Sequence, residues 1–157
     1  MRWVDPDGLD ILVIENGPTE GNPIGHSAAA VTGAGVFSSG NETPPGSSVY
    51  EYLARQASRR DTVVYIIKTT PEQDAAALEY LRRHTNESPG RFTDNCTSRT
   101  NNALDAAGIP QTIQPDNYPG SAGDRAAASG AESFEIPMGT NFPGGYPSAV
   151  TQFEPAR

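Results

Sequence analysis

Asp94-Asn95-Cys96-Thr97-Ser98-Arg99-Thr100-Asn101-Asn102-Ala103-Leu104-Asp105-Ala106-Ala107-Gly108 is the stretch on which the reading of the chain turns, and it carries the only cysteine in 157 residues. Asp94 or Asn95 is suited to cap a helix whose inward positions are Cys96, Thr100, Ala103 and Ala107, with Gly108 as the stop. That arrangement sets a lone thiol in the first turn of a helix. There the free backbone N–H groups and the positive end of the dipole favour the thiolate, the form that attacks carbonyls. Cys96 is therefore a candidate nucleophile; the competing reading is a buried cysteine that behaves as a small hydrophobe. A single cysteine leaves no internal disulfide and no thiolate zinc site.

A thiol nucleophile needs a base, and the chain has two histidines. His84 stands near the end of a helix that Thr70-Pro71-Glu72-Gln73 opens with a cap, a first-position proline and a capping box. The inner stripe of that helix reads Asp74, Ala77, Leu78 and Leu81, and His84 reads as a surface group at its C-terminus. A nuclease pairing of His84 with Asn86 is disfavoured. His26 has a different setting. It follows Gly25 and precedes Ser27-Ala28-Ala29-Ala30-Val31, a strand of small residues against which another element can pack closely.

Thr32-Gly33-Ala34-Gly35 reverses this strand into Val36-Phe37-Ser38-Ser39. With a two-residue turn, even positions pair with odd ones, which puts Phe37, Ser39 and Asn41 on the face of His26 and turns Ser38 away. A three-residue loop reverses that parity. Ser39 is thus the expected third member of the site, with Asn41 and Ser38 as the alternatives.

Elsewhere, Asp10 to Glu15 reads as a buried strand, and Ser48-Val49-Tyr50-Glu51 opens a helix running to about Arg59. Thr62 to Ile67, β-branched and aromatic, is the strongest strand signal and is expected at the centre of the sheet. Residues 114–157 are rich in proline and glycine and show no sustained period except at Ser133 to Ile136, so an extended segment wrapping the core or touching a partner is expected. Three parts follow: 1–9 as a junction, 10–113 as a core, and 114–157 as that wrap.

A formal net charge of −8 is the wrong sign for gripping a phosphate backbone, which disfavours nucleic acid as a partner. The apolar run Ile11 to Ile14 is far too short to span a bilayer, so a membrane role is unexpected. No charged-then-apolar leader is seen, and export would depend on something else carrying the domain.

Two resemblances bear on the function. Asp5-Pro6-Asp7-Gly8-Leu9 resembles the Asp-Pro-X-Gly-Leu junction that ends the core of Rhs-repeat polymorphic toxins, after which a C-terminal effector domain follows. Gly25-His26-Ser27, with Asn95-Cys96 some seventy residues later opening a helix that ends Ala-Ala-Gly-Ile-Pro, resembles the circularly permuted papain-like fold. NlpC-type peptidases and lecithin:retinol acyltransferase-like enzymes belong to that branch, and the likeness covers roughly residues 10 to 110.

The resemblance implies an α+β fold, helices on a mainly antiparallel sheet, and a cysteine hydrolase using Cys96 and His26 as a thiolate–imidazolium pair. It implies a sulfur within roughly 3 to 5 Å of an imidazole nitrogen, in a groove open to solvent. The oxyanion would meet the backbone N–H of Cys96. No cofactor or metal is implied. Acyltransferase relatives carry a second histidine about a dozen residues after the first, where this chain has Ser38 and Ser39. The Rhs-like junction implies an antibacterial effector delivered into a target cell, acting on a protein or on peptidoglycan and held by a cognate immunity protein. A lipid-directed acyl hydrolase and a non-catalytic binding module remain the alternatives.

Overall fold

The computed structural model describes residues 9–40, 43–85, 95–141 and 148–156. Its elements run β1 (Asp10–Asn16), β2 (His26–Val31), β3 (Gly35–Phe37), α1 (Val49–Ala57), β4 (Thr62–Lys68), α2 (Pro71–Arg83), α3 (Cys96–Ala106), α4 (Ser121–Ala128) and β5 (Glu132–Ile136). A 3-10 turn, Ser148–Phe153, closes the described chain. The five strands form one antiparallel sheet in the order β3-β2-β1-β4-β5, so the class is α+β as expected.

Alternation along β1 decides what covers each face. Leu12 and Ile14 point into a cluster with Ala28, Ala30, Val36, Val64 and, from α1, Val49, Tyr52 and Leu53, which Val150 and Phe153 complete. Ile11 and Val13 point the other way, toward Ala77 and Leu81 of α2, Ala103 and Leu104 of α3, and Ala122 and Ala126 of α4. The sheet is thus a middle layer with α1 and the 3-10 turn on one side and α2, α3 and α4 on the other. Every strand of β1 type needs apolar residues on both faces, which is why Ile11 to Ile14 is an unbroken apolar run.

The caps follow the sequence. Thr70 accepts from the backbone N–H of Gln73 while Gln73 answers to the Thr70 backbone, and Asn95 makes the same reciprocal pair with Ser98. Gly108, at φ +72°, ends α3 in the left-handed conformation that glycine tolerates.

Three expectations change. The strand from Thr62 is not central: β1 holds the middle, and β4 lies between β1 and the edge strand β5. Residues 114–157 are not simply extended, since they supply α4, β5 and the closing 3-10 turn; Ser133 to Ile136 does fall within β5. The hairpin pairs Val31 with Gly35 and Ala29 with Phe37, leaving Thr32, Gly33 and Ala34 as a three-residue loop. Odd residues therefore oppose odd ones, and Ser38, not Ser39, shares the face of His26. The residues Asp5 to Gly8 of the junction, and Asn41, lie outside the described residues.

Candidate functional site

One end of the sheet gathers polar groups on an otherwise apolar face. In register, Asn16 at the end of β1 pairs with His26 on one side and Thr62 on the other. Gly25 delivers the chain to His26 at φ +82°, and a Cβ there would lie 2.6 Å from the Asn16 carbonyl oxygen. Only glycine permits that approach.

The His26 Nε2 lies 2.6 Å from Ser38 Oγ. Ser38 also bonds the Tyr52 phenol, whose oxygen accepts a 2.6 Å bond from Asn16 Nδ2. Asn16 Oδ1 in turn accepts from the Thr62 hydroxyl at 3.0 Å. Tyr52 comes from α1 and is fully buried, so this network is fixed by packing as well as by hydrogen bonds. Burial and the nearby Arg60 guanidinium lower the His26 pKa to about 4, which leaves the imidazole neutral near pH 7. The Tyr52 phenol is pushed up to about 12, chiefly by burial, against the opposing effect of the Ser38 and Asn16 bonds.

Cys96 is the first residue of α3 and is half-buried. Its neighbours explain why the helix starts where it does. Asn95 caps it, the Thr100 hydroxyl donates to the Cys96 carbonyl at 3.0 Å, and Asn95 Nδ2 reaches the Asn117 carbonyl at 3.5 Å. Thr97 faces inward, its Oγ1 3.1 Å from Ser27 Oγ. The buried positions of α3 are Thr97 to Asn101, then Ala103 and Leu104, so its first half is enclosed rather than striped.

The structure brings His26 together with Ser38 and Tyr52, and sets Cys96 beside Thr97, whose hydroxyl meets Ser27, the neighbour of His26 on β2. Among the described residues the hydrogen-bond contact of Cys96 Sγ is Thr97 Oγ1 at 3.9 Å, and no hydrogen bond joins it to His26. Neighbouring residues of β2 point to opposite faces, with His26 toward α1 and Ser27 toward α3. Ser39 is not the partner of His26, for the parity reason given above.

Compared with known proteins, the chain matches no family model, no curated protein and no solved structure.

Two features of the site escaped the sequence. Tyr52 lies in the middle of a helix whose apolar stripe gives no hint that its hydroxyl meets Ser38 and Asn16. Glu15 looks like a strand-end carboxylate, yet burial raises its pKa to about 7 beneath α4. His84 caps α2 and stacks on Tyr80 with ring centroids 4.3 Å apart, away from this network; Asn86 lies outside the described residues. Among the described residues no group of three or more His, Cys, Asp or Glu is placed to hold a metal, and no helix is long and apolar enough to cross a membrane.

Proposed function

We propose that the chain is a cysteine hydrolase of the permuted papain-like kind, in which Cys96 is the nucleophile, His26 the base and Ser38 the group that orients the imidazole. The observation that carries this reading is a shared strand. Strand β2 is common to both: His26 is held by Ser38 at 2.6 Å, and the next residue, Ser27, lies 3.1 Å from Thr97, which follows the thiol at the capped start of α3.

A neutral imidazole has one protonated and one basic nitrogen. In the working tautomer Nε2–H donates to Ser38, leaving the lone pair on Nδ1. The thiol swings from its seat at Thr97 and attacks the carbonyl carbon as Nδ1 takes its proton, forming the carbon–sulfur bond and an oxyanion. The Cys96 backbone N–H, one of the donors that a helix start leaves without an intrahelical partner, meets that oxyanion. Nδ1–H then protonates the leaving amine or alkoxide as its bond to carbon breaks. Water hydrolyses the thioester, giving its proton to His26 and restoring the thiol. Because the imidazole is held neutral in the resting state, it is free to take a proton as the sulfur attacks.

With the Rhs-like junction, this chemistry fits an effector delivered into a competing bacterium, acting on protein or peptidoglycan amides and neutralised by an immunity protein. An acidic chain favours a basic patch on that inhibitor. One observation favours a lipid ester instead: Ile24, two residues before His26, is 66 % exposed, and Tyr118, beside the Asn117 that Asn95 touches, is 55 % exposed.

Expression of the domain in the cytoplasm or the periplasm of a bacterium tests the proposal. Growth arrest in one compartment is expected for the wild type and is expected to vanish for a folded Cys96→Ala variant. Arrest that persists with folded Cys96→Ala would end the thiol-hydrolase reading, and turnover of phospholipid vesicles by the wild type alone would transfer it to lipid.

A further inference from the structure

The half-buried carboxylate of Glu15 is joined to the thiol by an unbroken chain of hydroxyls. Ser27 Oγ donates to Glu15 Oε2 at 2.7 Å, Thr97 Oγ1 lies 3.1 Å from Ser27 Oγ, and Cys96 Sγ lies 3.9 Å from Thr97 Oγ1, within reach of a sulfur hydrogen bond. The other carboxylate oxygen accepts the backbone N–H of Gly123 at 3.0 Å, from the first turn of α4. Register explains the first link, because Glu15 and Ser27 are direct cross-strand partners. The absence of a side chain at residue 123 explains the last. A Cβ on Gly123 would fall 2.9 Å from Glu15 Cγ and 2.8 Å from Tyr65 Cε2, so α4 sits on this carboxylate only because the position is glycine.

The proton order in this chain is dictated by its end. While Glu15 is ionised it accepts from Ser27, so Ser27 must accept from Thr97 and Thr97 from the thiol. If the carboxylate takes the Ser27 proton, each hydroxyl takes the next proton along, and the thiol ends as thiolate with Thr97 O–H donating to it. One S–H bond breaks and one carboxyl O–H bond forms; no net charge is created. We propose that Glu15 is a positioning residue of the hydrolase, a second proton acceptor for Cys96 that works through Ser27 and Thr97 and is itself held by the start of α4. The inference rests on Cys96 being the nucleophile and adds a partner on the sheet face opposite His26.

The groups facing the carboxylate are Ser27 from β2, Tyr65 from β4, Thr97 from α3, and Gly123 with Asp124 from α4. Burial raises the Glu15 pKa to about 7, the Ser27 and Gly123 bonds oppose that rise, and Asp124 adds to it. A carboxyl at that value exchanges a proton with a thiol far more readily than an exposed one would.

The test is the rate of Cys96 alkylation by iodoacetamide against pH, in the full chain without substrate. Thr97→Val keeps the shape and breaks the relay. It is expected to slow alkylation at pH 7 about tenfold, the change that one unit in the thiolate midpoint produces, and to remove the inflection near the Glu15 value. Thr97→Ser restores the hydroxyl and is expected to restore both, a rescue that a purely structural role would not give. Glu15→Gln is expected to match Thr97→Val, with no additional loss in the double variant. A Thr97→Val rate within twofold of wild type across the pH range would overturn the inference. The readout needs no turnover, so a relay found in a protein without hydrolase activity would refute the proposed function and leave the relay standing.

Discussion

Both faces of the sheet carry an apolar layer, but the helices that cover them are held by different means. On the α1 side the contacts are aliphatic and aromatic, with Leu12, Ile14, Val49, Leu53, Val150 and Phe153 all wholly enclosed, and polar groups enter only at the end where Asn16, His26 and Tyr52 meet. On the α3 side an apolar layer of Ile11, Val13, Ala77, Leu81, Ala103, Leu104, Ala122 and Ala126 is joined by polar side chains that lock the helices to one another. Thr97, Ser98, Arg99, Thr100 and Asn101 are buried in succession, and Arg125 of α4 is 2 % exposed. Arg125 donates to the carbonyls of Asn101 and Pro110 at 3.1 Å each, to the Ile109 carbonyl, and to Asp105 at 2.5 Å. Asn101 adds bonds of 2.8 Å to the Asp116 carbonyl and to Ser121 Oγ. An apolar face is held by water exclusion and tolerates small shifts. A face of buried hydrogen bonds tolerates few, because each broken bond leaves an unsatisfied group. The second kind of packing surrounds the thiol and fixes where α3 begins.

The contrast is most directly broken by one substitution on each face. Arg125→Ala leaves three carbonyls and a carboxylate without their donor, and a loss of about 4 kcal/mol in urea unfolding is expected. Leu53→Ala opens a cavity in the apolar layer, with an expected loss of about 3 kcal/mol. Hydrogen exchange separates them. Arg125→Ala should free the amides of α4 well before the rest of the fold opens, whereas Leu53→Ala should lower protection throughout. Uniform loss in both variants would mean that the polar face is no more local in its stability than the apolar one.

How far the sequence carried the reading follows from the same contrast. Elements whose signals are local were legible: the capping box of Thr70 and Gln73, the Asn95 cap that puts Cys96 at a helix start, and the glycine stop at Gly108. The apolar stripe of α2 was legible in Ala77 and Leu81 because it faces an apolar layer. The first half of α3 was not, since its burial comes with hydrogen bonds to residues 15 to 70 positions away, and polar residues carry no hydrophobic period. Ser38 stands only as an alternative to Ser39 in the sequence because turn length is not legible there, and one extra loop residue at Thr32 to Ala34 reverses every side chain in β3. Glu15 was missed because what enfolds it is α4, a helix from a stretch whose prolines and glycines read as irregular.

A smaller effect sharpens the comparison at the other end of the sheet. Burial raises the Asp74 pKa to about 6, aided by Asp10 and opposed by the Thr69 hydroxyl. The folded chain therefore keeps this proton at pH values where the unfolded chain, with a value near 3.8, has released it. The stabilisation is fully present below the unfolded value and is lost as pH rises through 6. His26 works in the opposite sense: its lowered value makes stability fall as pH drops from about 6.5 toward 4. Glu15, raised to about 7, adds a second contribution that falls as pH rises, so Asp74→Asn should remove only the Asp74 share and make the slope of stability between pH 4 and 6 more positive than in the wild type. An unchanged slope in urea titrations would place the Asp74 carboxyl in ordinary contact with water.

The central claim is that Cys96 and His26 act as one unit, and alkylation of Cys96 by iodoacetamide near pH 7 in wild type and folded His26→Ala tests it without knowledge of the substrate. If the imidazole takes the thiol proton, the variant should react about tenfold more slowly, with the difference shrinking as pH rises and the thiol ionises unaided. Equal rates across the pH range would show that His26 does not serve the thiol, and would return Cys96 to the role of a partly buried helix residue.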